Sequence, residues 1–158
     1  MPLWRRWWNL LRKYMALLQY SEQRLRVGMQ RLARERQRLM AVQEQCSRLQ
    51  AEISMQQQLA GSRALGGVAL DRQQLFGWLR KSAADRRRSQ ALRLELRRQQ
   101  ELGQECLERV GAQRVLCLRL EARRERYRKL LGGERRTARL RQLEIEECEL
   151  EERASWSK

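Results

Sequence analysis

Leu11, Leu18, Leu25, Leu32, Leu39, Cys46, Ile53 and Ala60 recur every seven residues through the first sixty positions. A step of seven returns to nearly the same face of an α-helix, so the run reads as a coiled-coil seam. A second seam position is filled less regularly, by Met29 and later by Val42 and Leu49. Further on, Leu92, Leu96, Cys106, Val110, Cys117, Leu120, Tyr127 and Leu131 follow steps of three and four. Gln99, Gly103, Gln113 and Arg124 occupy seam positions between them, and the phase shifts near Leu140, Leu143 and Leu150. Polar seam residues weaken packing but set register and partner choice.

Gly61-Ser62-Arg63-Ala64-Leu65-Gly66-Gly67 separates the two runs and breaks the period, as a turn does. Asp71 followed by Gln74 is a capping box opening the second helix. The pattern therefore predicts an all-α, elongated antiparallel two-helix coiled-coil hairpin forming a single domain. Its expected parts are a first helix over 3–60, a turn over 61–71, a second helix over 72–153 and a tail over 154–158. At ~1.5 Å per residue the first arm spans roughly 80 Å and the second on the order of 120 Å. The second arm is thus expected to protrude past its partner or fray. Gly132-Gly133 marks a bend in it, and the Glu-rich segment over 144–152 reads as a frayed or partner-bound end.

Composition supports helices and limits the chemistry. Of 158 residues, 34% are charged and 6% aromatic, and the one proline, Pro2, lies where a helix's first turn tolerates it. The formal net charge of +16 predicts adhesion to nucleic acid, anionic membranes or acidic proteins at low salt. Basic residues are mixed with Glu along the chain, in i,i+4 pairs such as Glu44/Arg48 and Glu105/Arg109, which reads as solvated helix face. No stretch approaches the ~20 apolar residues of a membrane span. The charged start Trp4-Arg5-Arg6-Trp7-Trp8 does not read as a signal peptide.

Catalysis finds little footing. The chain has no histidine, removing the commonest general base and metal ligand. Gly66-Gly67 has no phosphate-binding GK[ST] behind it. Cys46, Cys106, Cys117 and Cys148 contain no CxxC pair, so neither a zinc knuckle nor a thioredoxin motif fits. The first three fall on seam positions, where a thiol acts as a small apolar side chain in a reducing compartment. The expectation is a protein that is no enzyme, holds no cofactor and no metal, and works by binding.

Two features exceed what a plain coiled coil needs. Trp4, Trp8, Leu11, Met15 and Leu18 share one helix face, with Leu3, Trp7, Leu10, Tyr14 and Leu17 beside them. That apolar face is wide for a two-helix seam. Packing against the far end of the second helix, docking on a partner through Trp4, Trp7 and Trp8, and contact with a membrane surface all fit it. The other feature follows the turn, where Leu75, Phe76, Trp78, Leu79, Arg80 and Lys81 gather apolar and basic groups. There Phe76 and Trp78 either plug the end of the seam or form a binding surface.

The post-turn stretch Leu70-x-Arg72-x-x-Leu75-Phe76-x-x-Leu79-Arg80-Lys81, followed by Arg86 and Arg87, resembles the coiled-coil stalk proteins of type III secretion systems. The two-helix plan at this length agrees, as does an Arg-rich stretch over 123–141 giving way to the Glu run. The InvI/SpaM branch is most similar, with flagellar FliJ and YscO more distant. This resemblance implies a cytoplasmic component of the export apparatus, peripheral to it at the inner membrane. On that analogy the paired ends of the hairpin sit in the pore of a hexameric secretion ATPase. Leu75, Phe76, Leu79 and Arg80 face the export gate protein, and secretion chaperones are further partners.

Two other readings compete. A basic coiled-coil nucleic-acid-binding protein fits the charge, although a basic-region zipper requires a continuous basic helix before its first leucine, and tryptophans stand there. Sequence-specific nucleic-acid recognition is therefore not expected. A generic coiled-coil scaffold fits the leucine repeat and predicts a parallel dimer of extended helices.

Overall fold

The computed structural model describes residues 3–63, 67 and 69–156, with side chains described from Trp7 onward. It is all-α: α1 spans Leu3–Ser62 and α2 spans Arg72–Trp156. The helices pair as an antiparallel coiled-coil hairpin, the expected fold class. The tail expected from 154 is helical as far as Trp156, and α2 runs unbroken through Gly132 and Gly133, where the sequence suggested a bend. Ala64, Leu65, Gly66 and Val68 of the expected turn lie outside the described residues. Gly67 is described, with a φ of 70°, a left-handed conformation that glycine adopts without Cβ strain.

The chain divides into two units. One joins Met1–Arg31 to Gln113–Lys158, and the other is Leu32–Ala112. In the first, α1 contributes Leu11, Leu18 and Leu25 at one seam position and Trp7, Tyr14, Ser21 and Gly28 at the other. The facing seam of α2 is Gln113, Cys117, Leu120, Arg124, Tyr127, Leu131, Glu134 and Ala138, all buried or half-buried. Gly28 is closely covered by α2. A Cβ built on it would stand 3.3 Å from Cys117 Sγ and 3.5 Å from Leu120 Cδ1. The Gln113 side-chain amide donates to the Gly28 carbonyl at 3.1 Å, so one polar seam residue is satisfied by the partner's backbone. Ser21, only 2% exposed, donates to the Leu18 carbonyl of its own helix.

Within the second unit, Leu32, Leu39, Cys46 and Ile53 alternate with Glu35, Val42, Leu49 and Gln56 along α1. Met29, expected at the second seam position, is 53% exposed, and Gly28 holds that layer instead. Ala60 is also exposed, so the seam stops short of it. On α2 the facing seam of this unit starts earlier than the leucine pattern showed. Trp78, Ser82, Asp85 and Ser89 precede Leu92, Leu96, Gln99, Gly103, Cys106 and Val110. Two ion pairs cross between the arms, one from Arg63, just past α1, to Asp85 at 2.9 Å and one from Arg88 to Glu52 at 3.1 Å. The other ion pairs among described residues are i,i+3 or i,i+4 along one helix, including Glu44–Arg48 and Glu105–Arg109. Exposed pairs of this kind contribute less than about 1 kcal/mol each, so the seams hold the fold.

Candidate functional site

The start of α2 is built by its cap. The Gln74 side-chain oxygen accepts from the Asp71 N–H at 3.1 Å, and Asp71 Oδ1 accepts from the Arg72 N–H at 2.6 Å. The Leu75 N–H donates to the Asp71 carbonyl at 2.9 Å, closing the first turn. Two of the donors at the helix start, the Asp71 and Arg72 N–H groups, are thereby satisfied. Trp78 secures the other side. Its indole N–H donates to the Arg63 carbonyl at 3.1 Å, tying α2 back to the end of α1.

Trp78 thus closes the seam, and it is half-buried. Phe76 does not share that role, being 51% exposed, with the Arg72 guanidinium 5.9 Å from its ring centroid. Leu75 and Leu79 are 43% and 46% exposed, and Arg80 is exposed too. The i,i+4 pairs Leu75/Leu79 and Phe76/Arg80 therefore present apolar and basic groups together on the solvent side of one capped helix. Around them the charge is one-sided, with nine Lys or Arg over residues 72–98 against Asp85 and Glu95. An open groove of about 480 Å³ lies alongside, lined in part by Ala60, Arg63, Trp78, Lys81, Asp85 and Arg93. Such a surface is equipped to bind an acidic or amphipathic partner. Among the described residues no cluster of three or more His, Cys, Asp or Glu has the arrangement of a metal site.

At the start of α1, Trp7 and Trp8 pack edge to face with centroids 6.2 Å apart. Trp7 is half-buried toward the seam and Trp8 is 44% exposed. The side chain of Trp4 lies outside the described residues. The Trp7 indole N–H is buried without a hydrogen-bond partner among them.

Sequence reasoning left open whether Phe76 and Trp78 plug the seam or form a binding surface, and the structure divides them, with Trp78 closing the seam and Phe76 in solvent. Sequence reasoning placed Leu10 and Leu17 beside the seam but missed the longer stripe on α1 to which they belong. Leu10, Lys13, Leu17, Tyr20, Arg24, Val27 and Arg31 advance by steps of three and four, beside the seam, and every one is exposed. The signal was present in the spacing but was masked by the stronger leucine repeat next to it.

No helix among the described residues is long and apolar enough to cross a membrane. No curated protein and no solved structure matches the chain. A family model described as Salmonella surface presentation of antigen gene type M protein matches residues 12–154, nearly all of both helices. By that match the chain belongs to this family and is a component of a type III secretion system.

Proposed function

We propose that this chain is the non-enzymatic stalk of the export apparatus, coupling a hexameric secretion ATPase to the export gate. It acts in the cytoplasm, peripheral to the apparatus at the inner membrane, and engages secretion chaperones as well. The N- and C-terminal arms seat in the ATPase ring, while Leu75, Phe76, Leu79 and Arg80 meet the gate. Trp4, Trp7 and Trp8 form the partner-facing surface at the start of α1. The observation that carries the reading is the start of α2 in a secretion-family hairpin. There a capped, Trp78-anchored helix holds three large apolar side chains in solvent, where folding alone gives them no purpose.

Coupling of this kind requires differential contacts and no covalent step. A ring that grips the stalk differently in its nucleotide states shifts the population of gate conformations. The surplus of positive charge favours capture by an acidic surface and speeds the encounter. Phe76→Ala with Leu79→Ala truncates exposed side chains, so stability should change by no more than about 0.5 kcal/mol. Secretion is expected to fall sharply while ATPase binding is kept. Equal loss of both in a folded variant counts against placing the gate contact here. Titrating the protein into the cognate ATPase at near-physiological salt should stimulate hydrolysis, saturating at one chain per six subunits.

A further inference from the structure

From residue 139 to residue 156 every residue of α2 is exposed, although the helix continues unbroken. The stretch carries an apolar stripe interrupted by Glu147, with Ile145 and Trp156 on the opposite face. Leu140, Leu143, Glu147, Leu150 and Ala154 advance by steps of three and four, and Leu140, Leu143 and Leu150 are 61%, 46% and 64% exposed. Its charge inverts that of the whole chain, with six Glu and no base over residues 144–152.

The second stripe of α1, in the same unit, is its counterpart. Leu10, Leu17, Tyr20 and Val27 are 41–59% exposed and alternate with Lys13, Arg24 and Arg31. Over residues 10–31 there are five bases and one acid. The Arg24 guanidinium lies 5.8 Å from the Tyr20 ring centroid. A shallow groove of about 340 Å³ runs beside it, floored by Gly28 and bordered by Leu116 of α2. Residues 10, 13, 17, 20 and 24 and residues 140, 143, 147, 150 and 154 have identical spacing, as two parallel helices in one register require.

We infer that the free protein forms a two-fold dimer. The acidic end of α2 from each copy packs along the basic, apolar stripe of α1 in the other. The overhang cannot serve its own α1, because α2 is helical from Arg72 to Trp156 and offers no turn by which to fold back. A second copy meets the condition, since both faces belong to one unit and a two-fold axis forms both contacts at once. Charge sets the register: Glu147 comes beside Leu17, between Lys13 and Arg24, with Glu144 and Glu151 on its flanks. The inference does not rest on the stalk reading. If both hold, the dimer occupies the same arms that enter the ring, and the ATPase must separate it.

Sedimentation velocity on the full chain at low ionic strength should show a dimer that dissociates as salt is raised. Lys13→Glu with Arg24→Glu should weaken self-association at least tenfold, and so should Glu147→Lys with Glu151→Lys. All four residues are exposed, and helicity by circular dichroism checks the fold. The distinctive outcome comes from mixing the two reversed chains one to one, which makes both contacts attractive again and should restore a dimer. A chain ending at Ala138 keeps every seam residue and should be monomeric. A wild-type monomer at tens of micromolar, or a dimer indifferent to both reversals, overturns the inference. So does a dimer that survives the truncation.

Discussion

Gly28 sits at the seam position beside the leucine repeat, and the space its missing side chain leaves is filled from the other helix. Cys117, Leu120 and Gln113 close on it, and the Gln113 amide reaches its carbonyl. A larger side chain must displace that set. Gly28→Val is expected to destabilise the fold by about 1–3 kcal/mol through overpacking. Gly111 is the control: it is helical and exposed, and nothing lies within 4 Å of a Cβ built on it. Gly111→Ala should stabilise by about 0.5–1 kcal/mol, from backbone entropy and helix propensity. Thermal denaturation of the pair checks both signs. Burial also separates the thiols. Cys106 and Cys117 are each 5% exposed, whereas Cys148 is exposed. A thiol reagent should label Cys148 first and reach the buried pair only on unfolding.

The capping box at Asp71 and Gln74 fixes where α2 begins, and both residues were legible from their spacing alone. Asp71→Ala should cost about 1 kcal/mol. It should also loosen the first turn that carries Leu75 and Phe76, which hydrogen exchange at the start of α2 will report. The rest of the helices was legible unevenly, for physical reasons. One α1 seam position repeats Leu and is unmistakable. The other holds Ser21, Gly28 and Glu35, which no hydrophobic scale detects, so Met29 stood out one residue away. On α2, the stretch Trp78, Ser82, Asp85 and Ser89 is seam by position and polar by type, and only its contacts reveal it. The exposure of Leu75, Phe76 and Leu79 follows from where that seam lies on the helix. Sequence placed these residues together but left open whether Phe76 and Trp78 plugged the seam or formed a binding surface.

A charge of +16 sits on a fold whose buried hydrophobic side chains are few. Those described as buried are Leu11, Leu32, Leu49, Cys106, Cys117, Leu120 and Leu131, and among the described residues no large side chain is wholly removed from solvent. The ion pairs offset little of the repulsion, since in each at least one partner is well exposed to solvent, which screens the attraction. Self-repulsion among the remaining Arg and Lys acts over about 10 Å at 0.1 M salt and is screened beyond that. Salt therefore affects two properties in opposite directions. At concentrations low enough to keep the chain monomeric, raising NaCl from 20 to 300 mM should raise the melting temperature by several degrees. Binding to acidic surfaces, including the overhang of a second copy, should weaken across the same range. Circular dichroism melts and sedimentation on one salt series separate the two effects. A melting temperature that falls with salt means the exposed ion pairs outweigh the net charge, and the surplus Arg and Lys are then no burden on the fold.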